Sequence, residues 1–165
     1  MHSTATREGF QSCYGVASRE RMNHIAIGRM VLKEIRKRTD KPVTHVVNTH
    51  HHPDHWLGNQ VFAELKPRPV IIGHPQMRAA AQAEAKTAIA SMVRLTGDSG
   101  RGMRAVLPDR EVQGDSEINT GGLTFKIYDP GHAHTSGDLA VHVVEERVLI
   151  AGDIVFFRRT PGWQD

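Results

Sequence analysis

The stretch 42–59, PVTHVVNTHHHPDHWLGN, limits this chain's fold more than any other. Its first half is short and rich in β-branched residues, which reads as a buried strand. Its second half packs four histidines and an aspartate into six positions, beside a proline that rules out a simple helix. The chain therefore carries a block of imidazoles at the C-terminal end of a strand. Either that block is a metal centre or it is a run of solvated histidines.

The flanking segments set the fold class. Before the strand, the spacing of Ile25, Gly28, Leu32 and Ile35 predicts a helix over 19–38, with Ser18 as a possible cap and Lys37 and Arg38 at its end. After the cluster, WLGNQVFAEL suits a short helix and PRPVIIGH a second strand. Residues 76–95 are dense in alanine and other good helix formers, and TGDSGRG breaks that helix. Beyond Pro108 the pattern turns to β, in EVQG, LTFKIYD, LAVHVVEE and RVLIAGDIVF, separated by Gly and Asp turns. Residues 1–18 show no period and read as an irregular lead-in to one domain over 19–165. An α/β chain is expected, with helices early and β-hairpins late.

Composition removes several function classes. At 165 residues the chain is long enough for one real core. No apolar run approaches the roughly 20 residues of a membrane span. The N-terminal sixteen residues lack the apolar segment of a secretory signal, so a cytoplasmic location is the default expectation. Cys13 is the single cysteine, which excludes an internal disulfide and a thiolate zinc cluster. The net charge is +3, but residues 1–41 alone hold nine Lys/Arg against four Asp/Glu. That excess fits a solvated helix face, and with aromatics at 5% a nucleic-acid surface is not expected. A small-molecule substrate is the expected partner; the sequence leaves the oligomeric state open.

Any metal must then be held by imidazole and carboxylate. His50 and His52 alternate, so an extended backbone places both rings on one side. Pro53 turns the chain and delivers Asp54 and His55 from another direction, an arrangement that suits two ions. Four residues cannot close both sites, so distant ligands are required. His132 and His134 stand in the Gly-rich DPGHAHTSGD, and Asp153 comes just after the strand VLIA, separated from it by Gly152, which permits close backbone approach. A carboxylate at the end of an apolar strand needs a partner, and a metal would be one.

H-x-H-x-D-H at His50, His52, Asp54 and His55, then HTSGD from His134, then AGD ending at Asp153, resembles the metallo-β-lactamase superfamily in residues, order and spacing. The resemblance covers roughly 20–157 and implies an αββα sandwich. It implies His50, His52 and His134 on one zinc, Asp54 and His55 on a second, and Asp153 bridging them. It further implies hydrolysis of an ester, thioester, lactone or lactam by a zinc-bound hydroxide, with Asp54 as the catalytic residue that orients the hydroxide and accepts its proton. Iron or manganese suits the same ligands. Two zincs, two aspartates and one hydroxide leave a net +1, which favours an anionic substrate or a developing oxyanion.

The chain departs from that pattern at both ends. GFQSCYGVASRE does not read as the family's upstream strands, and RRTPGWQD offers no last histidine for the second zinc. The expected form is thus an incomplete αββα sandwich with a weaker second site, an exposed sheet edge and an exposed apolar face, as in a truncated or mis-started hydrolase. A metal-binding remnant without activity is the alternative. Among the other residues, His51 is expected to point away, His45 to sit in the core, His74 to cap a helix or line a pocket, and His142 to be a plain strand residue. Trp56 should pack beneath the metal loop, and Met30, Met77, Met92 and Met103 should fill the core. Arg158 and Arg159 are possible substrate contacts but more ordinary as solvated loop residues, while Cys13, His2 and His24 carry no signal.

Overall fold

The β-branched run becomes strand β2 (His45–Val47), second strand of a four-stranded parallel sheet in a computed structural model that describes residues 10–12 and 24–156. The sheet order is β1 (Phe10–Ser12), β2, β3 (Val70–Gly73) and β4 (Arg110–Glu111). The crossovers carry α1 (His24–Arg36), α2 (Asn59–Ala63) and α3 (Pro75–Thr96). An antiparallel meander, β5 (Ser116–Thr120), β6 (Leu123–Tyr128), β7 (Ala140–Val143) and β8 (Val148–Ile150), forms the second sheet.

Strand alternation divides the core into two layers. Val46 and Ile71, partners across β2 and β3, pack with Ile25, Ile35, Trp56, Phe62 and Met77 on the helical side. Val47 and Ile72, the next pair, turn the opposite way onto Phe125, Ile127, Val141 and Ile150 of the second sheet. Each such buried side chain stabilises the fold by about 1.5–3 kcal/mol relative to exposure, and the period of two decides which layer receives it. The described layers are helices, sheet, sheet, as the α/β reading expects.

The far face of the second sheet is mostly polar. Glu117, Lys126 and His142 point outward, while Leu149 on the outer strand β8 is the exposed apolar residue there. The expected apolar face is therefore not seen among the described residues, because an antiparallel sheet can present a polar face to water. Among the described residues, β5 and β8 are the outer strands of this sheet.

Several expectations shift in detail. The helix expected over 19–38 ends at Arg36, where the amides of Arg38 and Thr39 close onto the Ile35 carbonyl; its expected start lies outside the described residues. Strand β1 lies inside the segment read as a lead-in, and β5, with a single buried apolar residue, was not anticipated. Met30 is exposed on α1 and is no core filler, whereas Met77 and Met103 are buried.

Candidate metal centre

The loop after β2 is built to hold its shape. Asn48 and Asn59, at its two ends, exchange side-chain amide hydrogen bonds of 3.0 and 2.8 Å, fully buried. The Asn48 amide also donates to the His55 carbonyl, and the Trp56 indole donates to the His51 carbonyl at 2.7 Å. Pro53 starts a single 3₁₀ turn, Pro53–His55, that reverses the chain between His52 and His55. Trp56 and Leu57 are buried beneath it, as expected of Trp56.

Three rings converge on one side. His52 Nδ1 lies 3.0 Å from His50 Nε2 and 3.1 Å from His134 Nε2. One nitrogen cannot donate to both neighbours, and burial opposes adding protons. The separations are close to the roughly 3.3 Å edge of a tetrahedron with zinc–nitrogen bonds of about 2.0–2.1 Å. A shared cation satisfies these converging lone pairs. His50, His55 and Asp153 form a second group whose ligand atoms lie within 4.8 Å of one another. Asp153 stands between the two sets, with Oδ1 3.6 Å from His55 Nε2 and Oδ2 3.9 Å from His134 Nε2. Asp54 Oδ2 is 3.4 Å from His55 Nε2 on the outer side.

Protonation states favour ligation. Burial, reinforced by the rings of His55, His52 and His134, pushes His50 down to about 2. Burial and then His134 also lower His52. Burial alone would raise Asp54, but its interactions with His55 outweigh this and hold the carboxyl well below the usual range. Neutral imidazole and ionised carboxylate are the forms that bind metal. Thr49 Oγ1, buried, lies 3.1 Å from His50 Nδ1 and 3.3 Å from His55 Nδ1. With both rings in the Nδ1–H tautomer its lone pairs accept the two N–H groups, and each Nε2 is then free to face the centre.

The remaining ligand loops are held just as firmly. Asp138, buried at the end of HTSGD, accepts from the amides of His134 and Thr135 and from the Thr135 hydroxyl, at 2.6–2.8 Å. Gly152 adopts φ +57°, and a Cβ there would sit 2.9 Å from Thr49. No other residue type fits without displacing Asp153 or Thr49. His52, Asp54, His134 and Asp153 open onto a cavity of about 870 Å³, whose far wall is the α3 face carrying Glu84, Thr87 and Ser91.

A family model for the metallo-β-lactamase superfamily matches residues 19–165. The chain belongs to this superfamily. Two curated relatives are named hydroxyacylglutathione hydrolase. One, from Hyphomonas neptunium, is 28% identical over 69% of this chain and 34% of its own length. The other, from Erythrobacter litoralis, is 30% identical over 69% of this chain and 35% of its own length. A solved β-lactamase domain protein from Burkholderia ambifaria superposes with TM-score 0.64 at 21% identity, covering 94% of this chain and 51% of that one. A metallo-β-lactamase from Pontibacter korlensis gives 0.60 at 20% identity, over 80% of this chain and 52% of that one. The matched region thus spans about a third of the curated relatives and half of the solved structures, and the structures establish the metallo-β-lactamase fold.

Within that fold the structure gathers His50, His52, His55, His134 and Asp153 into the two groups, with Asp54 beside them. His132 is exposed and outside both. His51 turns away toward Glu84, 4.0 Å distant. His74 caps α3, accepting from the Gln76 amide, and His142 stacks on Tyr128. His45 is only half-buried, its ring near the Thr44 hydroxyl. Cys13, His2, Arg158 and Arg159 lie outside the described residues. Sequence reading missed the supporting roles of Asn48, Thr49, Asn59 and Asp138, all of which stand inside or beside the motifs. It also missed His24, which lines the cavity and had no periodic or motif signal.

Proposed function

We propose that this chain is a metal-dependent hydrolase with two zinc positions, acting on an acyl thioester or a related ester, lactone or lactam. The observation that carries the reading is the convergence of three ring nitrogens at 3.0–3.1 Å with Asp153 facing both groups. His50, His52 and His134 would hold the first ion, Asp54 and His55 the second, with Asp153 between. Bound zinc supplies Lewis acidity, lowering the pKa of water to about 7 and polarising a carbonyl.

The chain's own residues do the rest. Asp54, ionised and at the cavity wall, orients a water and accepts its proton. The opposite wall offers the small neutral side chains of Ala83, Thr87 and Ala88, with Glu84 as its one carboxylate. That wall suits an uncharged acyl group. The names of the curated relatives make a hydroxyacyl-glutathione thioester the first substrate to assay.

The test combines metal content with turnover. The purified chain should carry about two zinc ions, and a His50→Ala/His52→Ala variant should lose at least the first. Asp54→Asn should lower thioester turnover by about 10²–10⁴-fold, the range of general acid–base catalysis. Metal uptake without turnover of thioester, lactone or β-lactam probes would establish the inactive metal-binding reading. No metal uptake would overturn the proposal.

A further inference from the structure

His24 is the first residue of α1, and its imidazole is among the buried polar groups of the molecule, 8% exposed. Its Nδ1 is fully shielded from solvent and has no hydrogen-bond partner. Buried donors and acceptors are nearly always paired, so an orphaned nitrogen calls for a partner such as an ion. The side chain lines the cavity that also holds Asp54, Asp153, His52 and His134. Its electrostatic neighbours are Asp54 and His55, the two residues assigned above to the second ion.

Two glycines bring it there. A Cβ on Gly28 would lie 3.1 Å from Val61 and 3.2 Å from the Gly58 carbonyl, while one on Gly58 would meet the His24 carbonyl at 3.5 Å. Helix α1 therefore seats its backbone against the segment following the 3₁₀ turn. Its first turn comes to rest beside Asp54 and His55, the residues that this turn presents.

Among the described residues, a second position built on Asp54 and His55 has room for such a donor. Asp54 and His55 supply one carboxylate and one imidazole, and Asp153 is shared with the first position. A four-coordinate zinc site with N and O ligands has room for a further imidazole. We propose that His24 is a protein ligand of the second metal position, delivered by the first turn of α1. The inference rests on the reading of Asp54 and His55 as ligands.

The test is cobalt titration of the metal-stripped full chain, followed by visible absorption and elemental analysis, for the wild type, His24→Phe and His24→Gln. Phe keeps the bulk without a donor, and Gln keeps a polar side chain should Phe prevent folding. The expected result is two cobalt ions in the wild type. In each folded variant the first ion should be retained, while affinity for the second falls roughly 100-fold or more. That expectation follows because outer partners of ligands already contribute 10–100-fold. Two ions bound with unchanged affinity and spectrum in the variants would overturn the role of His24 alone. One ion in the wild type would also overturn it, leaving a single-metal hydrolase. No ion in the wild type would overturn both readings.

Discussion

Thr49 shows how much of the candidate metal centre depends on a residue outside its proposed ligand set. Its hydroxyl meets the Nδ1 of one ring from each ligand group, and its carbonyl accepts from the Leu139 amide at 2.7 Å, next to the HTSGD loop. Its Cβ also faces Gly152, the residue before Asp153. Thr49→Val keeps the shape but removes the acceptor, so His50 and His55 lose the bond that fixes their tautomers. Metal affinity should fall about 10–100-fold and recover in Thr49→Ser, as measured by competition with a chromophoric chelator. Equal affinity in the Val variant would mean that packing alone orients the rings. Gly152→Ala tests the same junction from the other side. A left-handed φ and a 2.9 Å approach to a buried threonine should cost at least about 1–3 kcal/mol, read from denaturant unfolding of the metal-free chain.

At the level of elements, legibility followed locality. His50, His52, Asp54 and His55 stood out because six adjacent residues carry them, and His134 and Asp153 because short motifs mark them. Helix α3 was legible over nearly its full length from its alanines, with Pro75 and His74 closing its start. Strand β5, SEINT, was not, since one buried apolar residue in five gives no usable alternation; pairing with β6 creates the strand. His24 was illegible for a related reason: its place beside Asp54 depends on how closely α1 approaches residues 58–61, a contact that no local pattern encodes. That approach makes a prediction. Gly28→Leu should push α1 away and lower the melting temperature, while Arg29→Leu on the exposed side should change stability by no more than about 0.5 kcal/mol and leave the melting temperature near that of the wild type. Equal melting temperatures for the two variants would mean that the helix seat is not close-packed.

For the whole molecule, the candidate metal centre is a joint between two sheets. His50, His52 and His55 leave the parallel sheet after β2, whereas His134 and Asp153 belong to the loops after β6 and β8 of the antiparallel sheet. The His52–His134 contact spans 82 residues of sequence. Metal bound only by the folded form should therefore stabilise the whole chain, by about 2.7 kcal/mol at a hundredfold excess over Kd. For a domain of this size that corresponds to a rise of roughly 5–11 °C in Tm, absent in His50→Ala/His52→Ala. Acid should act in the opposite direction on the metal-free chain. His50 titrates near 6.5 when unfolded but only near 2 when folded, so below pH 6.5 the unfolded state binds the extra proton and gains. From pH 7.5 to 5 this one ring costs about 2 kcal/mol, at about 1.4 kcal/mol per unit once well below 6.5. His52 adds to the loss, and Asp54 adds to it only below its ordinary value of 3.8. Calorimetry of the stripped protein should thus show Tm falling as pH drops through 6.5, with a shallower slope in His50→Gln. With zinc present, His50 should not weaken the increment between pH 7.5 and 5, because its ring is already unprotonated in the folded chain and has no proton to shed on binding. A Tm indifferent to zinc at both pH values would mean that the two sheets hold the histidines together without using them to bind metal.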